Sequence, residues 1–124
     1  MNIHSIDHAQ LSFPVDKHAR VCHFYANLLG LPEYGWGDGK TLRFHAGAQR
    51  LDLAPVQAWQ PPVIVPHLAL KVKNLVGLRA KLLDAGFELN ESRPLAGHLR
   101  FYVQDPAGNV LEFLEPIPSR VSAA

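Results

Sequence analysis

The strongest constraint on this chain is that it writes one pattern twice. Residues 42–53 read LRFHAGAQRLDL and residues 99–113 read LRFYVQDPAGNVLEF. Each opens on Leu-Arg-Phe, crosses a turn and closes on a leucine, an acid and an apolar residue: Leu51-Asp52-Leu53 and Leu111-Glu112-Phe113. Upstream of each hairpin the match continues. Val21, Phe24, Tyr25, Leu28 and Leu29 have helical spacing and run into Gly30; Leu75, Leu78, Leu82 and Leu83 do the same before Gly86. The glycines stand where a helix ends in a left-handed residue. Before each helix comes an alternation that begins with histidine: His8-Ala9-Gln10-Leu11-Ser12-Phe13 and His67-Leu68-Ala69-Leu70-Lys71-Val72. Asp16 and Asn74 are the expected N-caps.

The chain therefore reads as one α+β domain of two copies of strand, helix and three strands. Module one spans about 5–56, a linker about 57–64 includes Ala58-Trp59-Gln60-Pro61-Pro62, module two spans about 65–116, and a loose tail covers 117–124. Two copies are too few to stack as a solenoid. The expected architecture is two βαβββ modules paired around a pseudo-twofold axis, with curved mixed sheets and helices outside.

Composition excludes several classes. At 124 residues, 48% hydrophobic and 19% charged, the chain has the balance of a soluble domain. A net charge of +1 without a basic run argues against a nucleic-acid partner or a polybasic membrane anchor. No apolar run approaches the roughly 20 residues of a membrane span. The N-terminus lacks the basic start and apolar stretch of a signal peptide. The single cysteine, Cys22, excludes an intrachain disulfide and fits a cytoplasmic setting; its helical neighbours make it a small buried hydrophobe. Seven histidines are more than packing requires. His4, His18 and His23 read as solvated or packing residues.

Side chains alternate faces along a strand. One face then carries Ala9, Leu11, Phe13, Leu42, Phe44, Leu51, Leu53, Leu68, Leu70, Val72, Leu99, Phe101, Val103, Leu111 and Phe113, and should pack on the helices. The other carries His8, Gln10, Arg43, His45, Arg50, Asp52, His67, Arg100, Tyr102 and Glu112. Two histidines and two acids recur at matching places on that face. Imidazole nitrogen and carboxylate oxygen are the common ligands of zinc, manganese, iron and nickel.

Three segments carry a family resemblance: Ile6-Asp7-His8, Pro66-His67-Leu68-Ala69-Leu70, and Arg100-Phe101-Tyr102-Val103-Gln104-Asp105-Pro106-Ala107-Gly108-Asn109-Val110-Leu111-Glu112-Phe113. The sequence resembles the vicinal-oxygen-chelate superfamily of glyoxalase I, fosfomycin-resistance thiol transferases, bleomycin-resistance proteins and type I extradiol dioxygenases. The resemblance implies that His8, His67 and Glu112 are metal ligands, with Asp52 at the fourth place. Glutamate or glutamine is usual there in glyoxalase I-like members, and aspartate is one methylene shorter. Asp52 is then either a ligand or a group that orients one.

The implied function is a divalent-metal-dependent glyoxalase/dioxygenase-like enzyme. One zinc, nickel, manganese or iron ion per site would hold vicinal oxygens of a small-molecule substrate. Glu112 or Asp52 would move a proton next to a polarised carbonyl, as in a lyase or isomerase. One alternative is an extradiol-type Fe(II) dioxygenase, in which Tyr102 would take part. The signature's histidine has no match here, because His98 stands too close to Phe101. Another is a non-catalytic drug-binding resistance protein. No serine- and glycine-rich potassium loop of a fosfomycin transferase is seen. Arg43, Arg100, His45 and Gln10 are candidate substrate-binding residues, the arginines as clamps for a carboxylate or phosphate. Trp36 and Trp59 are candidates for the pocket wall or a contact in the expected homodimer.

Overall fold

The computed structural model describes residues 3, 5–35, 39–59 and 67–118. It is a mixed α+β architecture with two small sheets and few helices. His4, Trp36, Pro66, much of the expected linker and the tail from residue 119 lie outside the described residues. The chain forms two compact units: one spans Met1–Val63 with Asp105–Asn109, the other Ile64–Gln104 with Val110–Ala124.

In the first unit, β1 (His8–Pro14) runs parallel to β3 (Gln49–Val56), and β2 (Leu42–Ala46) pairs antiparallel with β3. Ala46 pairs with Gln49 across a two-residue turn, where Gly47 takes φ 66. The expected third strand is reduced to a bridge between Glu33 and Phe44. The Tyr34 amide donates to the Arg43 carbonyl at 2.7 Å and the His45 amide to Pro32 at 2.8 Å. Pro32 has no N–H to extend that ladder. Between β1 and β2 lie a 3-10 turn (Val15–Lys17), the short helix α1 (His18–Cys22) and a π-helical segment (His23–Leu28). Val21, Phe24 and Tyr25 are the buried residues of this stretch. Asp16 sits inside the 3-10 turn and caps nothing; Lys17 occupies the N-cap of α1 without a side-chain bond. Cys22 is half-buried, not fully buried, with Sγ 3.8 Å from Glu33 Oε1. Burial and the Glu33 carboxylate push its thiol up.

The loop Asp105–Asn109 completes this unit. Asp105 Oδ1 accepts from the amides of Ala107 (2.9 Å) and Asn109 (2.8 Å), and Oδ2 accepts from the Tyr25 hydroxyl at 2.7 Å. Asn109 Nδ2 donates to Asp105 Oδ2 and to the Ser12 carbonyl. Burial, then the Asp105 charge, pushes the Tyr25 phenol well above its ordinary range.

The second unit holds all five elements of the expected module. Its sheet order is β4 (His67–Lys71), β7 (Val110–Pro116), β6 (His98–Gln104) and β5 (Leu89–Asn90), with only β4–β7 parallel. Helix α2 (Leu75–Asp84) starts at Asn74, which takes φ 63 and accepts from the Gly77 amide at 3.2 Å. The Glu115 carboxylate accepts from the amides of Asn74 and Leu75, supplying partners that a helix start lacks. The helix ends at Asp84, and Gly86, φ 90, closes it off, with Phe87 N–H returning to Leu82 and Gly86 N–H to Leu83.

The alternation places the core. Phe13, Phe44, Leu51, Leu53, Phe101, Val103, Leu111 and Phe113 are buried. Leu99 and Leu83, expected inside, are 40% and 43% exposed. Leu99 pairs with Glu115 at the far end of β6, and α2 buries only Leu75 and Leu82. Among the described residues no helix is long and apolar enough to cross a membrane.

Candidate functional site

Both acids of the polar face are buried: Asp52 is 3% exposed and Glu112 6%. A carboxylate at that depth must be matched by cations or donors. The two units do this differently.

The parallel strand pairs repeat faithfully. Gln10 lies opposite Asp52 and Ala69 opposite Glu112. His8 lies opposite Arg50, and His67 opposite Val110. Each histidine is thus set diagonally to its acid. In the second unit valine leaves that diagonal open, and His67 Nε2 reaches Glu112 Oε1 at 3.0 Å. In the first unit Arg50 fills it. Its Nε donates to Asp52 Oδ1 at 2.8 Å and its Nη2 to Oδ2 at 3.2 Å. His8 turns instead to Asp7, with Nδ1 2.8 Å from Oδ2. That hydrogen bond holds the Asp7 carboxyl below its usual range.

The antiparallel pairs do not repeat. Arg43 lies directly opposite Asp52, its Nε 3.8 Å from Oδ2, whereas Tyr102 lies opposite Glu112. Arg100 faces Leu114 and reaches Glu112 only diagonally, Nη1 to Oε2 at 3.5 Å. The two Leu-Arg-Phe triplets match as text but not in register. A two-residue turn in one hairpin and a five-residue loop in the other shift the pairing.

Aromatic rings complete both groups. The Tyr34 ring lies tilted against exposed His45, centroids 4.9 Å apart, and its centroid is 5.5 Å from the Arg50 guanidinium carbon. Tyr102 meets His67 edge-on at 5.6 Å, with Arg100 and Arg93 at 5.3 and 5.5 Å from its centroid. Gln10 is exposed. Trp59 is half-buried and passes 3.8 Å from where a side chain on Gly108 would begin.

Fit to a metal is uneven. Two donors bound to one ion at about 2.0–2.2 Å lie roughly 3 Å apart, as His67 Nε2 and Glu112 Oε1 do. His8 has the arrangement of a ligand whose second nitrogen is steadied by a carboxylate. Asp52 does not fit, since both oxygens hold Arg50. Among the described residues no group of three or more His, Cys, Asp or Glu side chains stands ready to hold a metal ion. Asp7, Arg50 and Arg93 were not singled out from the sequence. Asp7 adjoins His8, and Arg50 shares a face with Asp52, so both had a signal; Arg93 lies in a loop and had none.

The family model for the glyoxalase/bleomycin resistance protein/dioxygenase superfamily matches residues 5–113. The chain belongs to this superfamily. A glyoxalase family protein from Bacillus anthracis is similar in structure at 28% identity and TM-score 0.82, covering 94% of this chain and 98% of that one. Lactoylglutathione lyase from Agrobacterium tumefaciens matches at 21% identity and TM-score 0.71, covering 90% and 92%. An antibiotic-binding protein from Streptomyces sp. CB03234 matches at 20% identity and TM-score 0.72, covering 94% and 98%. The last two likenesses concern the fold alone. No curated protein sequence matches the chain. Among these solved structures one fold is shared by a protein named a lyase and a protein named an antibiotic binder, so function rests on the site's own residues.

Proposed function

We propose that this chain is a divalent-metal-dependent enzyme acting on a small molecule that presents vicinal oxygens. His67 and Glu112 of the second unit would hold the ion, and His8 is the third ligand that the sequence resemblance implies. The observation that carries the reading is the 3.0 Å His67–Glu112 pair on a buried carboxylate. The ion would supply Lewis-acid polarisation of a substrate oxygen. Glu112 is the group to move a proton beside that oxygen, because no arginine fork binds it as one binds Asp52. Tyr102, opposite Glu112 and edge-on to His67, orients the imidazole. Asp52 anchors Arg50. The proposed setting is a cytoplasmic homodimer.

The Arg50–Asp52 pair favours a second reading, a non-catalytic binder that needs no metal. Elemental analysis of protein purified without chelator separates the two. About one metal per chain, reduced in His8→Ala and in His67→Ala, supports the enzyme. A clean zero, or unchanged occupancy in both variants, overturns it. An activity screen with hemithioacetals, catechols and fosfomycin under each metal then selects the chemistry.

A further inference from the structure

Tyr102 in the second unit has two guanidinium groups near its ring, and they are not equivalent. Arg100 is committed: Nε and Nη2 donate to the Arg93 carbonyl at 3.0 and 2.6 Å, and Nη1 faces Glu112. Arg93 is exposed, and among the described residues its guanidinium makes no hydrogen bond or ion pair. Its backbone is nonetheless fixed. Arg100 grips its carbonyl, and Asn90 Oδ1 accepts from both the amide and the hydroxyl of Ser92 just before it. Glu91 is paired with Arg79. The other arginine beside this loop has a carboxylate; Arg93 has only an aromatic ring.

A guanidinium held over a ring keeps its in-plane N–H groups turned outward, in the fork that matches two oxygens of a carboxylate or phosphate. Arg100 faces Glu112, whereas Arg93 faces no carboxylate among the described residues. A pre-ordered backbone lowers the entropy cost of binding there. We infer that Arg93 docks an oxyanion of the small-molecule substrate, a carboxylate or a phosphate, over Tyr102 and beside the His67–Glu112 pair. Arg100 is the positioning residue that holds Arg93 in place. The inference rests on the proposed function in assigning that anion to the same substrate; anion binding itself needs no metal.

The test is an NMR titration of chelator-treated protein with inorganic phosphate and, separately, acetate at constant ionic strength. Saturable shifts at Arg93 Nε and the Tyr102 ring are expected. Arg93→Ala should weaken binding about tenfold or more, the loss expected for charge-assisted hydrogen bonds. Arg93→Lys should fall between, and Arg20→Ala, an exposed charge on α1, should change nothing. Arg100→Lys should move the Arg93 amide resonance and weaken binding while Arg93 is intact. Absence of saturation, wild-type affinity in Arg93→Ala, or an equal loss in Arg20→Ala overturns the inference. Arg93→Ala should keep its metal, so a failed anion site and a failed metal site are told apart.

Discussion

Asp52 and Glu112 hold matching places against their parallel strands, yet one is locked and the other is open. The residue two places before each acid separates the cases, together with the antiparallel neighbour, Arg43 against Asp52 and Tyr102 against Glu112. Where the second unit has Val110, the first has Arg50, whose fork takes both oxygens of Asp52 and turns His8 toward Asp7. The parallel register repeats between the units, while the side chain two places before each acid, on the acid's own strand, differs. Likeness of position between repeats therefore does not establish likeness of role; the neighbours two residues away must be read as well.

The sharpest challenge to this contrast is metal content. Glu112→Gln should lower occupancy at least tenfold, while Asp52→Asn should leave it unchanged. Equal losses would erase the distinction. Next comes stability. Arg50→Val leaves the buried Asp52 carboxylate with Arg43 as its remaining cation among the described residues, so a clear loss in urea unfolding is expected, larger than that of His67→Ala. His67→Ala leaves Glu112 near Arg100 and should cost about 1 kcal/mol or less. The reverse order would mean that Glu112 is the more tightly held acid.

A third buried acid calibrates the pair. Among the described residues Asp105 is held by neutral donors alone, so Tyr25→Phe removes one hydrogen bond of several. A loss of about 1–2 kcal/mol is expected by thermal unfolding. A larger penalty than that of Arg50→Val would show neutral donors outweighing the guanidinium.

The smallest effect concerns Glu115, whose carboxyl is held below the 4.5 of a free glutamate by the Leu75 and Asn74 amides. A lowered folded value means that its contribution is complete above pH 4.5 and fades as pH falls through the lower folded value. Glu115→Gln should melt lower than wild type at pH 7, and the two curves should converge in acid. A gap that persists at pH 2 would exclude ionisation as its source.

Much of the fold was legible because two copies of a pattern check one another. The histidine-led alternations, the glycines after each helix and the acids at each hairpin's end fixed the element order and the buried faces. The site was legible only in part. Residue type and parity found His67, Glu112 and Tyr102 together. They missed the role of Arg50, because parity reports a shared face and not which neighbour reaches the acid first. They made Arg43 and Arg100 counterparts, because text alignment ignores loop length, and loop length sets register. Arg93 was invisible: loop residues have no period, and its placement depends on a carbonyl gripped by a residue seven positions on.

The loop Asp105–Asn109 has a consequence for any attempt to divide the molecule. It is encoded late in the gene but finishes the early unit, where it accepts the Tyr25 proton and ties off the Ser12 carbonyl. A fragment ending at the midpoint would bury a phenol with no acceptor, and the complementary fragment would carry a turn shaped for a surface it no longer had. The first unit is therefore finished by residues that come after most of the second unit along the chain.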